Sequence, residues 1–256
     1  MRRSRLRPLC APGHPRQRPL DQLPRDGGAR LVLKAVLFDL DGTLVDTAPD
    51  LLGALDDVRA GLGLPACAHL LPAAVAARGG RGILALGLPQ AYGSVEELLP
   101  IYLALYERRL ARMSRPYAGI EALLDALAAR GVRLGIVSNK PQALAERLLD
   151  LLGWRARFDA LVGGDSLGVR KPAPDPVWRA CRLLGVSPVQ TAVIGDDERD
   201  IAAARAAGCG YSVAAAYGYL EAGASAAQWG ADAIVDSPCE LLSLLRPRLY
   251  PQPAPA

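Results

Sequence analysis

The sequence predicts an α/β fold: a parallel sheet covered by helices on both faces, with a small helical cap domain inserted after the first strand. Three observations predict it. Short apolar runs recur along the chain, each followed by a helical pattern, and this alternation gives parallel sheets. Gly131, Gly153, Gly185 and Gly208 stand just past the ends of four helical patterns, where a left-handed cap favours glycine. One interval, 47–116, breaks the rhythm and carries helical patterns with no convincing strand.

Residues 1–30 come first and fit no element. They hold eight Arg against two Asp, many Pro and no apolar period, so they bury too little to offset the entropy of ordering. The expectation is a disordered basic tail, with an arm that binds an acidic surface as the rival reading. The segment also lacks the apolar stretch of a secretory signal. A core domain is expected over 31–46 and 117–246. Its strands are 31–38 (LVLKAVLF), 132–137 (VRLGIV), 160–163, 191–194 (TAVI), 211–215 and 233–235. Its helices lie near 119–130, 141–152, 175–185, 199–207 and 239–246. The cap at 47–116 should carry helices near 49–60, 70–77, 81–87 and 94–113, with Pro100 ending or offsetting the first turn of the last. Residues 247–256 read as a Pro-rich C-terminal tail.

Charge and cysteines exclude several function classes. The tail's net +6 exceeds the whole chain's +4, so residues 31–256 carry a net −2. A nucleic-acid surface would need Lys and Arg gathered on the folded part, so no nucleic-acid partner is expected. No apolar run reaches the ~18–20 uncharged residues of a membrane span, and no membrane association is expected. The cysteines (10, 67, 181, 209, 239) are odd in number, scattered and free of CxxC spacing. That indicates neither a disulfide framework nor a zinc site, and points to buried thiols in a reducing cytoplasm.

Four segments that could carry chemistry each follow a different strand, and in an open parallel sheet those strand ends share one ligand-binding edge. The first is Asp39-Leu40-Asp41-Gly42-Thr43-Leu44-Val45-Asp46. In an extended chain residues i and i+2 point the same way, so Asp39 and Asp41 can face one ligand. Their mutual repulsion would be relieved by a divalent cation such as Mg²⁺, which takes oxygen ligands and bridges carboxylates to phosphate. Aspartate can also serve as the nucleophile of phosphoryl transfer. The second segment, Ser138-Asn139-Lys140-Pro141, offers a hydroxyl and a helix start to a phosphate. The third, Lys171-Pro172-Ala173-Pro174, holds a lysine between prolines that could offset phosphoryl and carboxylate charge. The fourth, Gly195-Asp196-Asp197-Glu198-Arg199-Asp200, reads equally well as helix capping or as metal-ligand material. Each of the last three has an ordinary structural explanation alone; in this order, at four strand ends, they point to a phosphotransfer site.

At these residues the chain resembles the haloacid-dehalogenase superfamily of phosphatases over about 34–246: DLDGTLVDT, SNK, KPAP and GDDERD match its four motifs in order and spacing. The resemblance implies a Rossmann-like core, Asp39 as nucleophile and Asp41 as general acid and base. It places Ser138 and Lys171 on the phosphoryl group and Thr43 and Asn139 with the substrate. It also implies Mg²⁺ on Asp39, the backbone carbonyl of Asp41 and Asp196, with Asp200 close by. A narrower resemblance, carried by GDDERDI, Ala216-Tyr217-Gly218-Tyr219 and Trp229-Gly230-Ala231-Asp232, is to the bacterial N-acetylmuramic acid 6-phosphate phosphatases of cell-wall recycling, within a phosphoglycolate-phosphatase-like branch.

The expected substrate is therefore a small phosphate monoester, N-acetylmuramic acid 6-phosphate first and 2-phosphoglycolate as the alternative. Both carry a carboxylate, which Arg78 or Arg81 of the cap could reach; Arg81 is the named candidate. A dehalogenase would need neither Asp41 nor magnesium. A phosphosugar mutase would keep every core motif, and a non-catalytic binding module need not retain all the catalytic groups. The sequence retains them all and reads as an enzyme.

Overall fold

The computed structural model describes residues 16–17 and 32–249. Its elements in chain order are β1 (Arg16–Gln17), β2 (Ala35–Phe38), β3 (Val45–Asp46), α1 (Ala48–Gly61), α2 (Gly79–Gly87), α3 (Val95–Arg109), β4 (Arg115–Pro116), α4 (Ile120–Ala128), β5 (Arg133–Val137), α5 (Gln142–Leu151), β6 (Ala160–Val162), α6 (Asp175–Leu184), β7 (Thr191–Gly195), α7 (Glu198–Ala207), β8 (Tyr211–Ala215), β9 (Ala233–Val235) and α8 (Pro238–Leu245). One sheet runs β1-β9-β8-β7-β2-β5-β6, and every pairing in it is parallel except β1 with β9. From β2 the chain winds to one side through β5 and β6 and to the other through β7, β8 and β9, which puts the topological switch at β2.

The apolar runs form strands because both faces of the sheet are covered. Alternate residues of β2 enter different cores: Val36 and Phe38 pack with Leu134, Ile136 and Ile194 under α4, α5 and α8, while Ala35 and Leu37 pack with Val193 against α6 and α7. A one-residue slip would exchange these sets, so the register is strongly specified. It aligns Phe38 with both Ile136 and Ile194. Asp39, Ser138 and Asp196 thus leave the sheet side by side. Helices α6 and α7 end on Gly185 and Gly208 in the left-handed conformation, as the sequence predicts.

Between β3 and β4 every described element is helical. These two short strands pair antiparallel, Val45 with Pro116 and Asp46 with Arg115, and form the double crossing between sheet and helical insert. Buried Asp50 at the start of α1 accepts hydrogen bonds from Met113 N, Ser114 N and Ser114 Oγ at 2.6–3.1 Å. The insert's entry and exit are tied together there.

Several expectations differ from what is found. Residues 70–77 form no α-helix but two 3₁₀ turns, Ala68–Leu70 and Ala73–Arg78. Pro72 separates them, lacking an N–H and holding Leu71 extended. Pro100 lies inside α3 without ending it, at an exposed position where water can serve the carbonyl it leaves without a donor. The chain also packs beyond 246: Leu33 N donates to Arg248 O at 2.7 Å and Leu249 is buried. The rest of the C-terminal tail lies outside the described residues. So does the tail 1–30, except that Arg16–Gln17 pair with β9 at the sheet edge. Cys67, Cys181 and Cys209 are free thiols, but only Cys181 is buried, and Cys239 is disulfide-bonded, a correction to the expectation of buried thiols without disulfides. No described helix is long and apolar enough to cross a membrane.

Candidate active site

The carboxyl edge of the sheet and the helical insert enclose a cavity of about 230 Å³. Asp39, Asp41, Ser138, Asn139, Lys171, Asp196 and Asp200 line it from the sheet side, and Arg81 lines it from the insert. Thr43, the remaining predicted site residue, does not reach it.

Asp39 follows β2 directly, and its N–H donates to Ile194 O at 2.9 Å. Its Oδ1 accepts from Lys171 Nζ at 2.8 Å, while its Oδ2 accepts no hydrogen bond among the described residues. The chain then turns sharply through Leu40–Val45, with Gly42 at φ +88°. A side chain at Gly42 would place Cβ 2.0 Å from Asp196 Oδ2, so this turn needs glycine for conformation and for room. Thr43 Oγ1 donates to Asp196 Oδ1 at 2.7 Å and is fully buried. It positions a carboxylate and does not face the cavity, a correction to the substrate contact expected of it.

Lys171 is buried between two carboxylates, Asp39 and Asp200 (2.6 Å), and donates also to Val137 O at 2.6 Å. Burial works against its ammonium, but Asp200 and Asp39 outweigh it and hold the lysine well above its ordinary range. Asn139 fixes this loop: its Oδ1 accepts from Lys171 N and its Nδ2 donates to Lys171 O, both at 3.1 Å. Both side-chain groups of Asn139 are thus engaged with Lys171. Ser138 Oγ accepts from Lys140 N at 3.3 Å, which leaves its O–H free to donate into the cavity.

Asp197 and Asp200 begin α7 as a capping box, Asp197 accepting from Arg199 N and Asp200 from Asp197 N. The capping residue Asp200 also belongs to an acidic cluster. Oxygens of Asp39, Asp196 and Asp200 all lie within 4.8 Å of one another. Burial, with the charges of Asp39 and Asp200, pushes Asp196 well above the usual carboxylate range. Burial pushes Asp200 up to about 7, opposed by Lys171 and reinforced by Asp39. Three converging carboxylates with one ammonium among them form an oxygen-only, over-charged donor set, which suits a hard divalent cation such as Mg²⁺.

Sequence reasoning did not single out Lys140. Lys140 is buried, its Nζ bonding Asp41 Oδ1 at 3.0 Å, Asp41 Oδ2 at 3.1 Å and Tyr106 Oη at 2.6 Å, and lying 4.4 Å from the Tyr106 ring centroid. Asp41 also accepts from Thr47 Oγ1 at 2.7 Å. The available signal was its place two residues after Ser138 in the same strand-end loop. Arg81, the expected carboxylate reader, is paired with Glu96 at 2.7 Å. Arg78 is paired with Glu221 by two hydrogen bonds, and Arg199 bridges Asp197 and Ala77 O.

The family model described as "haloacid dehalogenase-like hydrolase" matches residues 33–208. A phosphoglycolate phosphatase of Xanthomonas campestris pv. campestris (strain 8004) is 42% identical over 223 residues, covering 86% of this chain and 98% of that one. An N-acetylmuramic acid 6-phosphate phosphatase of Pseudomonas aeruginosa is 42% identical over 218 residues, covering 84% and 96%. The crystal structure of a "predicted phosphoglycolate phosphatase" from Haemophilus somnus 129pt superposes with a TM-score of 0.73 at 30% identity, covering 83% of this chain and 97% of that one.

Proposed function

The chain belongs to the haloacid dehalogenase-like hydrolases and is a phosphoric monoester hydrolase; on that premise we propose that Asp39 is its nucleophile and N-acetylmuramic acid 6-phosphate its substrate. The observation that carries the first part is Asp39 itself, at the floor of the cavity with one oxygen held by Lys171 and the other open. Asp39 Oδ2 attacks phosphorus, the ester P–O bond breaks, and Asp41 gives its proton to the departing alkoxide. Asp41 then takes a proton from a water that attacks the phosphorus of the aspartyl phosphate. The P–O bond to Asp39 breaks, and orthophosphate and the free carboxylate are regenerated. Lys171 and the Ser138 hydroxyl offset charge on the phosphoryl oxygens through both halves. Asp39, Asp196 and Asp200, with the backbone carbonyl of Asp41, would hold Mg²⁺, which when bound supplies further positive charge to those oxygens.

The leaving group must be read by what faces Asp39 across the cavity. That wall comes from the insert and is largely apolar, with Leu51, Ala76, Ala77, Leu99 and Leu103. Glycolate is too small to reach far along it, whereas the ring, acetamido and lactyl groups of N-acetylmuramate would be in contact. Such remote contacts can raise kcat/KM. The expected result is a kcat/KM for N-acetylmuramate 6-phosphate more than tenfold above that for 2-phosphoglycolate, a transition-state preference above ~1.4 kcal/mol. Equal efficiencies or the reverse order would transfer the assignment to 2-phosphoglycolate. Asp39→Asn should abolish turnover of both; near-normal activity, with deamidation excluded by mass spectrometry, would overturn the nucleophile.

A further inference from the structure

We infer that Arg170 reads the carboxylate of the leaving group, an inference that rests on the phosphatase reading above and adds the specificity-determining residue of its substrate site. Among the described residues six cationic side chains line the cavity: Arg78, Arg81, Lys140, Arg170, Lys171 and Arg199. Five have anionic partners. Lys140 is held by Asp41 and Lys171 by Asp39 and Asp200, both deeply buried. Arg199 is forked onto Asp197, Arg78 onto Glu221, and Arg81 faces Glu96. Among the described residues the Arg170 side chain forms neither an ion pair nor a hydrogen bond, and it is exposed.

Its backbone, by contrast, is fixed. Arg170 O accepts from Ala173 N at 3.0 Å, and the next residue is clamped to Asn139 through both its N–H and its carbonyl. A guanidinium with no partner therefore stands one residue from the ammonium that contacts Asp39. A phosphate monoester with a carboxylate brings two anionic groups to this cavity. Lys171 and the metal carboxylates' cation answer the first. For the second, an arginine already neutralised by its own carboxylate contributes little net charge, whereas Arg170 offers a whole charge and a planar fork matched to a carboxylate. Arg81, the candidate from sequence, is by contrast already paired with Glu96.

The test compares matched substrate pairs that differ in the carboxylate: N-acetylmuramate 6-phosphate with N-acetylglucosamine 6-phosphate, and 2-phosphoglycolate with ethyl phosphate. The ratio of kcat/KM within each pair is measured for the wild type, Arg170→Gln, Arg170→Lys and Arg81→Gln. Loss of a charge-assisted contact should lower the Arg170→Gln value for the carboxylate member of the preferred pair by roughly ten- to hundredfold. The carboxylate-free member should change by less than about twofold, because the phosphoryl site is untouched. Arg170→Lys should keep part of the ratio and Arg81→Gln all of it. Equal loss on both members, no loss, a wild type indifferent to the carboxylate in both pairs, or a ratio that collapses in Arg81→Gln would each overturn the inference. A preference for 2-phosphoglycolate would overturn only the choice of sugar, since Arg170 is then judged on the glycolate pair.

Discussion

Replacing Lys171 by methionine keeps most of the side chain's length and removes its charge. The ammonium lies 2.8 Å from Asp39 Oδ1, 2.6 Å from Asp200 Oδ1 and 2.6 Å from Val137 O, and only 4% of the side chain is exposed. Its loss leaves Asp39, Asp196 and Asp200 facing one another within 4.8 Å without the ammonium that contacts two of them, and leaves Val137 O without its side-chain donor. Breaking a buried pair from one side costs about 3–5 kcal/mol. Asp200, already pushed up to about 7, can take up a proton and keep the cost within that range. For a chain of this size each kcal/mol moves Tm by about 2–4 °C, so Lys171→Met in chelator should melt roughly 6–20 °C below wild type. A divalent cation binds the folded state and raises stability by mass action. The variant's more negative site should bind it more tightly, so magnesium should raise Tm more in the variant than in the wild type. Activity should remain at least ~100-fold down in magnesium, because the phosphoryl oxygens still lack the lysine. Calorimetry in chelator and in magnesium reads both effects. A variant that melts with the wild type in chelator, or gains no more from the ion, would refute the reasoning that Lys171 compensates a repulsive cluster.

Two further perturbations address the same cluster. Gly42→Ala forces a Cβ into left-handed backbone at about 1–2 kcal/mol and against Asp196. Tm should fall by about 2–8 °C with weaker magnesium binding by calorimetric titration, and unchanged binding would show that Asp196 does not take part. The metal-free protein should lose stability as pH rises. Asp200 lies at about 7 when folded and about 3.9 when unfolded, so between those values the folded state holds a proton that the unfolded chain has released. Stability present below about pH 4 is then lost as the pH climbs through 7. In chelator the decline in Tm from about pH 5 to 7.5 should be steeper in wild type than in Asp200→Asn, and identical slopes would contradict the assignment.

The strands were legible because a parallel strand buried on both faces is nearly all apolar, as AVLF is throughout and TAVIG is after Thr191, whose hydroxyl donates to Ser187 O. The convergence of four distant segments followed from topology, since the chain leaves β2, β5 and β7 at one edge and the sheet register puts those exits level. The interruption at 68–78 was harder to read. Its Ala-rich composition favours helix, but Pro72 acts on the residue before it and on its own missing donor, and one proline outweighed the propensity of its neighbours.

What a polar side chain does once it arrives depends on which partner it meets, and partners are a tertiary property. Thr43 sits in the same octet as Asp39, and only the approach of Asp196 from β7 decides that its hydroxyl supports a carboxylate. Lys140 has an undistinguished sequence context; its importance comes from Asp41 in the first loop and Tyr106 in α3, residues 99 and 34 positions away. The arginines make the point most sharply. Arg81 and Arg170 are chemically identical and both line the cavity. Glu96, fifteen residues beyond Arg81, pairs with one, and among the described residues no carboxylate pairs with the other. An anion responds to the uncancelled charge together with the geometry that presents it. A count of basic residues near a site therefore says little about which will bind, and the distinction that selects Arg170 appears only when every neighbouring carboxylate has been assigned to its cation.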